Sequence, residues 1–164
     1  MAKIKLRNQR VSDAKKFYEI LNNPNFFYLD IKPKSIEDEK EWLRKNATKR
    51  KNNFEYNYTI LYNNKIVGGC GIKINQHRKY IGEIGYFLDE KYWNKGIVTK
   101  AVLELEKIAF NKLKLIRIEI IMTKKNKPSE KVAIKCSYKK EGIIRKVVEL
   151  NNKYEDCYLY SKVK

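Results

Sequence analysis

Hydrophobic and polar positions change period repeatedly along the chain, and each change delimits an element. Ile4 and Leu6 alternate with Lys3, Lys5 and Arg7, the two-residue period of a half-buried strand. Ser12 and Asp13 then precede Phe17, Ile20 and Leu21 at helical spacing, which predicts a capped helix ending at Asn22-Asn23-Pro24. A second helix is predicted over residues 35–49, with Ser35 as its cap, Glu37, Asp38 and Glu39 in its first turn, and Trp42 and Leu43 as its apolar side. After the basic break from Lys49 to Asn53, Tyr56, Tyr58, Ile60 and Tyr62 fall on one strand face. Asn63-Asn64 turns the chain and residues 65–74 return as the hairpin partner. The glycines at 68, 69 and 71 read as a bulge or a close approach of backbones. They are not a phosphate loop, because no helix follows them.

The stretch from Tyr80 to Ala109 has a different character. Ile81 to Leu88 reads as a buried strand, and Gly96 to Lys107 carries Ile97, Ala101 and Leu105 at helical spacing, continued by Ile108. Between them lies Trp93-Asn94-Lys95-Gly96. A helix opening on glycine offers unpaired N–H groups and partial positive charge to an anion, although an ordinary turn has the same local sequence. Leu115 to Met122 follows as a β-branched strand, so strand, helix and strand form a βαβ unit with a parallel pair. Asn126-Lys127-Pro128-Ser129 opens a last helix through Val132, Ala133 and Lys135. Tyr138 to Gly142, Ile143 to Leu150 and Tyr154 to Ser161 then close the fold around the Asn151-Asn152 turn. The predicted order is β-α-α-β-β-β-α-β-α-β-β, an α/β (α+β) fold with a mixed central sheet of about seven strands and about four helices.

Length narrows this to one domain over residues 1–164, since 164 residues with 43% apolar content fill one core and not two. Lys and Arg number 37 against 19 Asp and Glu, a net charge of +18, which attracts anions and repels polycations. Cys70, Cys136 and Cys157 are odd in number with no CxxC pair, so reduced, buried thiols are expected. His77 is the only histidine and lies in a polar turn, so no metal is expected. No apolar run has the length of a signal peptide core or a membrane span, and a cytoplasmic location is the expectation.

Several segments in order carry a family resemblance: the early I-K-L-R strand, ILNNP, GEIGYFLDEKYWNKGIVTKAV, Asn126 with Ser129, Lys135 to Gly142, and Asn151 to Ser161. Together they resemble the GNAT superfamily of N-acetyltransferases, in particular its branch of RimJ- and RimL-type ribosomal-protein N-terminal acetyltransferases. The resemblance covers nearly the whole chain. It implies that the strands of residues 80–88 and 115–123 splay apart and leave a cleft for acetyl-coenzyme A as cosubstrate. It implies backbone contacts to pantetheine at Phe87 and Leu88, and a pyrophosphate loop of Trp93, Asn94, Lys95, Gly96, Ile97, Val98 and Thr99, with Asn126 and Ser129 also at the cofactor. Trp93 and Val98 depart from the family's usual residues, and bulk at Val98 is expected to loosen phosphate binding slightly.

For chemistry the resemblance implies direct transfer to a primary amine. Glu83 is the candidate base, or else a strand carboxylate paired with a lysine, and Glu149 is an alternative. Ser129 is the candidate acid toward the departing thiol, or else only a helix cap, and the oxyanion is expected near the Leu88 N–H. Phe26, Phe27 and Tyr28 line either core or the substrate mouth, with Glu83 and Tyr154 on the substrate side. The acceptor implied is a protein N-terminal α-amino group. A small amine such as a polyamine or antibiotic is the alternative, and the charge disfavours a polycation. A basic nucleic-acid-binding module is the reading of another class, weakened by the dispersal of the lysines through every element. Monomer and homodimer both stay open.

Overall fold

The structure is a computed structural model and describes residues 3–26, 28 and 32–164. Seven strands form one sheet in the order β1-β2-β3-β4-β5-β7-β6. They are β1 (Ile4–Asn8), β2 (Glu55–Tyr62), β3 (Lys65–Ile74), β4 (Ile81–Leu88), β5 (Arg117–Thr123), β6 (Lys139–Leu150) and β7 (Lys153–Val163). All neighbours are antiparallel except β4 and β5. The helices among the described residues are α1 (Ala14–Leu21), α2 (Ile36–Arg44), α3 (Asn46–Lys51), α4 (Ile97–Lys107) and α5 (Lys127–Lys135).

The alternation of β4 separates two layers. Ile84 and Leu88 face the larger core with Ala101, Val102 and Leu105 of α4 and Ile118, Ile120 and Met122 of β5. Phe87 points the other way and packs edge to face on Phe17 of α1, with ring centroids 5.1 Å apart, beside Leu21 and Leu43. Each fully buried Leu or Ile here contributes about 1.5–3 kcal/mol relative to exposure. β3 alternates in the same way, with Val67 in the larger core and Ile66 against the smaller one, so the two layers lie on opposite faces of the sheet.

The parallel pair of β4 and β5 is short. Ile81, Gly82 and Glu83 pair with Arg117, Ile118 and Glu119, and no pairing continues beyond them. Meanwhile β3 follows β4 out to Leu88 and β7 follows β5 out to Thr123. One half of the sheet thus leaves with β4 and the other with β5, which is the expected splay. The glycines of β3 hold the first half tightly: a methyl group at Gly68 would run into the carbonyl oxygen of Phe87. The tight turns are supplied by asparagines in the left-handed region, Asn63 and Asn64 between β2 and β3 and Asn151 and Asn152 between β6 and β7.

Two expectations are corrected. The helix predicted over residues 35–49 is two helices, α2 and α3, broken at Lys45. Ser35 does cap α2, accepting from the Asp38 N–H at 3.0 Å. Asp13 is not a simple helix cap. Its buried carboxylate is gripped by both terminal nitrogens of Arg7 at 2.7 and 2.8 Å and accepts from the Thr59 hydroxyl at 2.6 Å. Burial pushes this carboxyl up, but Arg7 and Thr59 outweigh it and hold it below the usual range. The three cysteines are free and buried, and His77 is exposed.

Candidate active site

Where β4 and β5 part, a cleft of about 590 Å³ opens between the two halves of the sheet. One wall is the outer part of β4, with Tyr86, Phe87 and Leu88, followed by the loop from Tyr92 to Gly96 and the first turn of α4. The facing wall is α5, through Asn126, Ser129, Val132 and the lysines Lys131 and Lys135. The mouth is lined by Asn25, Phe26 and Tyr28. Trp93 to Thr99, Asn126 and Ser129 are thus brought together, as the sequence predicts for one site.

The loop is held by specific bonds. The Trp93 indole donates to the Leu88 carbonyl at 2.8 Å and its ring lies 5.9 Å from Phe26. Asp89, buried at the end of β4, receives Lys16 at 2.9 Å. Asn94 and Gly96 both take left-handed backbone, at φ of 59° and 70°, so the chain turns sharply into α4 with no side chain on Gly96. The Lys100 N–H reaches the Gly96 carbonyl, leaving the N–H groups of Ile97, Val98 and Thr99 as the unpaired first turn. Lys95 sits above the Tyr92 ring at 5.2 Å. With Lys131 and Lys135 on the facing helix, the end of the cleft is an anion cradle of backbone donors and lysines.

The Tyr86 side chain crosses the middle of the cleft to α5, where its hydroxyl reaches the Ser129 carbonyl at 3.4 Å. The Tyr86 hydroxyl lies 2.7 Å from Ser129 Oγ. Burial pushes the Tyr86 phenol up to about 12, against a smaller opposing effect of the Ser129 hydrogen bond. Ser129 is 8% exposed and does not cap α5. Asn126 does so, its Oδ1 accepting from the Ser129 N–H at 3.2 Å. The Asn126 side-chain oxygen is therefore engaged, and its amide nitrogen remains on the cleft wall.

The substrate-side residues are less united. Glu83 is exposed at the last register before the strands part, opposite Glu119 and Lys73, and is outside the cleft wall formed by the described residues. By the alternation of β4 it lies on the Phe87 face, across the strand from Tyr86. Gly85, on the same face, has open space where a side chain would stand. Phe26 and Tyr28 line the mouth, while Phe27 lies outside the described residues. Tyr154 is 61% exposed near the tip of the β6–β7 hairpin, paired with Glu149 and away from the cleft wall. Sequence reasoning missed Tyr86, which reads as one more aromatic in a strand, and Lys131 and Lys135, which read as solvated helix positions.

A splayed strand edge leading into a helix N-terminus is an α/β arrangement suited to an extended ligand with an anionic end. The chain belongs to the GNAT acetyltransferases: the family model described as Acetyltransferase (GNAT) domain matches residues 3–139. It is 31% identical over 151 residues to Probable N-acetyltransferase YjcK of Bacillus subtilis (strain 168), covering 88% of this chain and 80% of that one. Against another curated relative, 33% identical, the match spans 56% of the relative's length. Among solved structures, a ribosomal-protein-S5-alanine acetyltransferase from Vibrio fischeri superposes with a TM-score of 0.88 at 25% identity, over 98% of this chain and 92% of that one. The microcin C7 self-immunity acetyltransferase MccE, in complex with acetyl-CoA and AMP, gives 0.89 at 26% identity, over 99% and 93%.

Proposed function

We propose that the protein transfers acetyl from acetyl-coenzyme A to a primary amine, and that this amine is the N-terminal α-amino group of a protein. The observation that carries the reading is the junction of the unpaired β4 edge with the unpaired N–H groups at the start of α4. An amide-bearing arm can add to such an edge as a strand does, through the Leu88 N–H; the Phe87 carbonyl, expected from the sequence to share this contact, is instead turned toward Gly68 of β3. Its phosphates then meet Gly96 to Thr99 with Lys95, Lys131 and Lys135. The geometry of the residues fits this cosubstrate, which supplies an activated thioester when bound.

This chain's residues would do the remaining work. Trp93 fixes the Leu88 carbonyl and so the end of the β4 edge. Ser129, buried on α5, is the hydrogen-bond donor for the departing sulfur, and Glu83, acting directly or through water, takes the proton lost by the amine. Their positions on opposite faces of the sheet support an acceptor arriving from the α1–α2 side and a thiol leaving on the α4–α5 side. The acceptor follows from charge: +18 repels polyamines and suits a protein partner of acidic character. The likeness to the ribosomal-protein-S5-alanine acetyltransferase supports the same reading. The equal likeness to MccE makes a small acceptor the outcome to exclude. Incubation with acetyl-coenzyme A and synthetic peptides of differing N-termini, with spermidine and a nucleotide-linked amine in parallel, tests this. Acetylated peptide α-amines are expected, and preference for spermidine overturns the acceptor assignment.

A further inference from the structure

We infer that Tyr86 is a positioning residue for transfer, one that donates its phenol proton to Ser129 Oγ and so turns the serine's own proton into the cleft. The inference rests on the role proposed above for Ser129. Ser129 has its backbone N–H bound by Asn126, but its hydroxyl has one side-chain partner among the described residues, Tyr86, at 2.7 Å. A serine hydroxyl rotates freely unless a neighbour fixes it. Either hydroxyl could donate across this contact, and the phenol also lies 3.4 Å from the Ser129 carbonyl oxygen; the 2.7 Å contact is much the shorter, a phenol is the stronger donor of the two, and a serine oxygen the better acceptor. The raised phenol stays protonated through neutral pH, so its proton remains available to donate. With its oxygen accepting from Tyr86, the serine can donate only elsewhere, and the cleft is what lies open on its other side.

The location of the bond adds a second reason. Beyond Glu83 and Glu119 no ladder joins β4 to β5, yet Tyr86 and Ser129, 43 residues apart, join the two walls just there. Tyr86 lies on the strand edge offered to the arm of the cosubstrate, and Ser129 on the wall facing it. One bond therefore aligns donor and edge together. No proton passes through Tyr86: the amine's proton leaves to Glu83 or water, the C–N bond forms as the C–S bond breaks, and the thiolate is protonated from solvent after release.

The test is a double-mutant cycle of Tyr86→Phe, Ser129→Ala and the pair, in single-turnover acetyl transfer from acetyl-coenzyme A to a serine-terminated peptide. Each single variant should lose roughly 10-fold to 100-fold in rate with the acetyl-coenzyme A affinity within about threefold, and the pair should be no slower than Ser129→Ala alone. With an acetyl aryl thioester, whose thiol leaves without help, the Tyr86→Phe deficit should shrink to within about threefold of the wild type. A purely structural strut would keep the same deficit for both donors. Full activity in Tyr86→Phe beside a slow Ser129→Ala overturns the inference alone, as do multiplying effects in the pair. Full activity in Ser129→Ala removes the role of Ser129 and this inference with it, while acetyl transfer stands. If the wild type ignores the peptide but acetylates spermidine, the acceptor assignment fails and the same cycle with spermidine decides on Tyr86.

Discussion

The two sides of the cleft are built from different materials. The cosubstrate side uses backbone: the β4 edge, the left-handed turns at Asn94 and Gly96, and the first N–H groups of α4, all anchored to the larger core. The other side, proposed above for the acceptor, uses side chains: Phe26 and Tyr28 at the mouth and, packed behind the cleft lining, the Arg7–Asp13 pair beneath α1 and Glu39 on the inward face of α2 with Ile36 and Leu43. Backbone geometry binds what many proteins bind, whereas side chains select. On the proposed function, the site's general chemistry resides on the first side and its specificity on the second.

The largest expected effect breaks the strand that joins the sides. Gly68→Ala drives a methyl into the Phe87 carbonyl and must part β3 from β4 at the cleft, costing about 2–4 kcal/mol in urea unfolding. Gly85→Ala on the open acceptor face should stay within about 0.5 kcal/mol, and an equal loss at both glycines would show that the faces do not differ.

Next is Glu39, 6% exposed and without a hydrogen-bond or cation partner among the described residues. Burial, with a smaller contribution from Asp38, raises its carboxyl to about 7. A folded-state value above the unfolded one means the native state holds the extra proton. Stability from this group is therefore present at low pH and lost as pH rises from about 4.5 toward 7. Glu39→Gln should match the wild type near pH 4 and exceed it by roughly 1–3 kcal/mol at pH 8. A difference that does not change with pH contradicts the burial of an unpaired carboxyl.

On the cosubstrate side, Gly96→Val puts a branched side chain at a φ of 70°. It should weaken acetyl-coenzyme A by about tenfold in titration calorimetry, with the rate at saturation largely kept. The smallest effect expected is at Val98, half-buried in the first turn of α4. Val98→Ala should tighten acetyl-coenzyme A by no more than about threefold, and weaker binding would mean the valine packs usefully against the ligand.

What the sequence reveals follows the same division. Backbone devices have local signatures: glycine ahead of a helix, paired asparagines in hairpin turns, Ser35 before an acidic turn. The Trp93 to Thr99 loop and the splayed strands were legible for that reason. Side-chain partnerships across the fold have none. Nothing near Tyr86 announces a serine 43 residues away, and Asp13 reads as a cap because its partner Thr59 lies 46 residues on. The break at Lys45 was hidden because no glycine or proline marks it. Lys131 and Lys135 become part of an anion site only once α5 is set against α4.

The most direct test of the backbone account is amide hydrogen exchange with and without coenzyme A. Protection is predicted at the Leu88 and the Gly96 to Thr99 N–H groups, with little change in α1, α2 and the β6–β7 hairpin. Protection confined to those acceptor-side elements, or to the outer groove of α4 near Leu103 and Phe110, would contradict it.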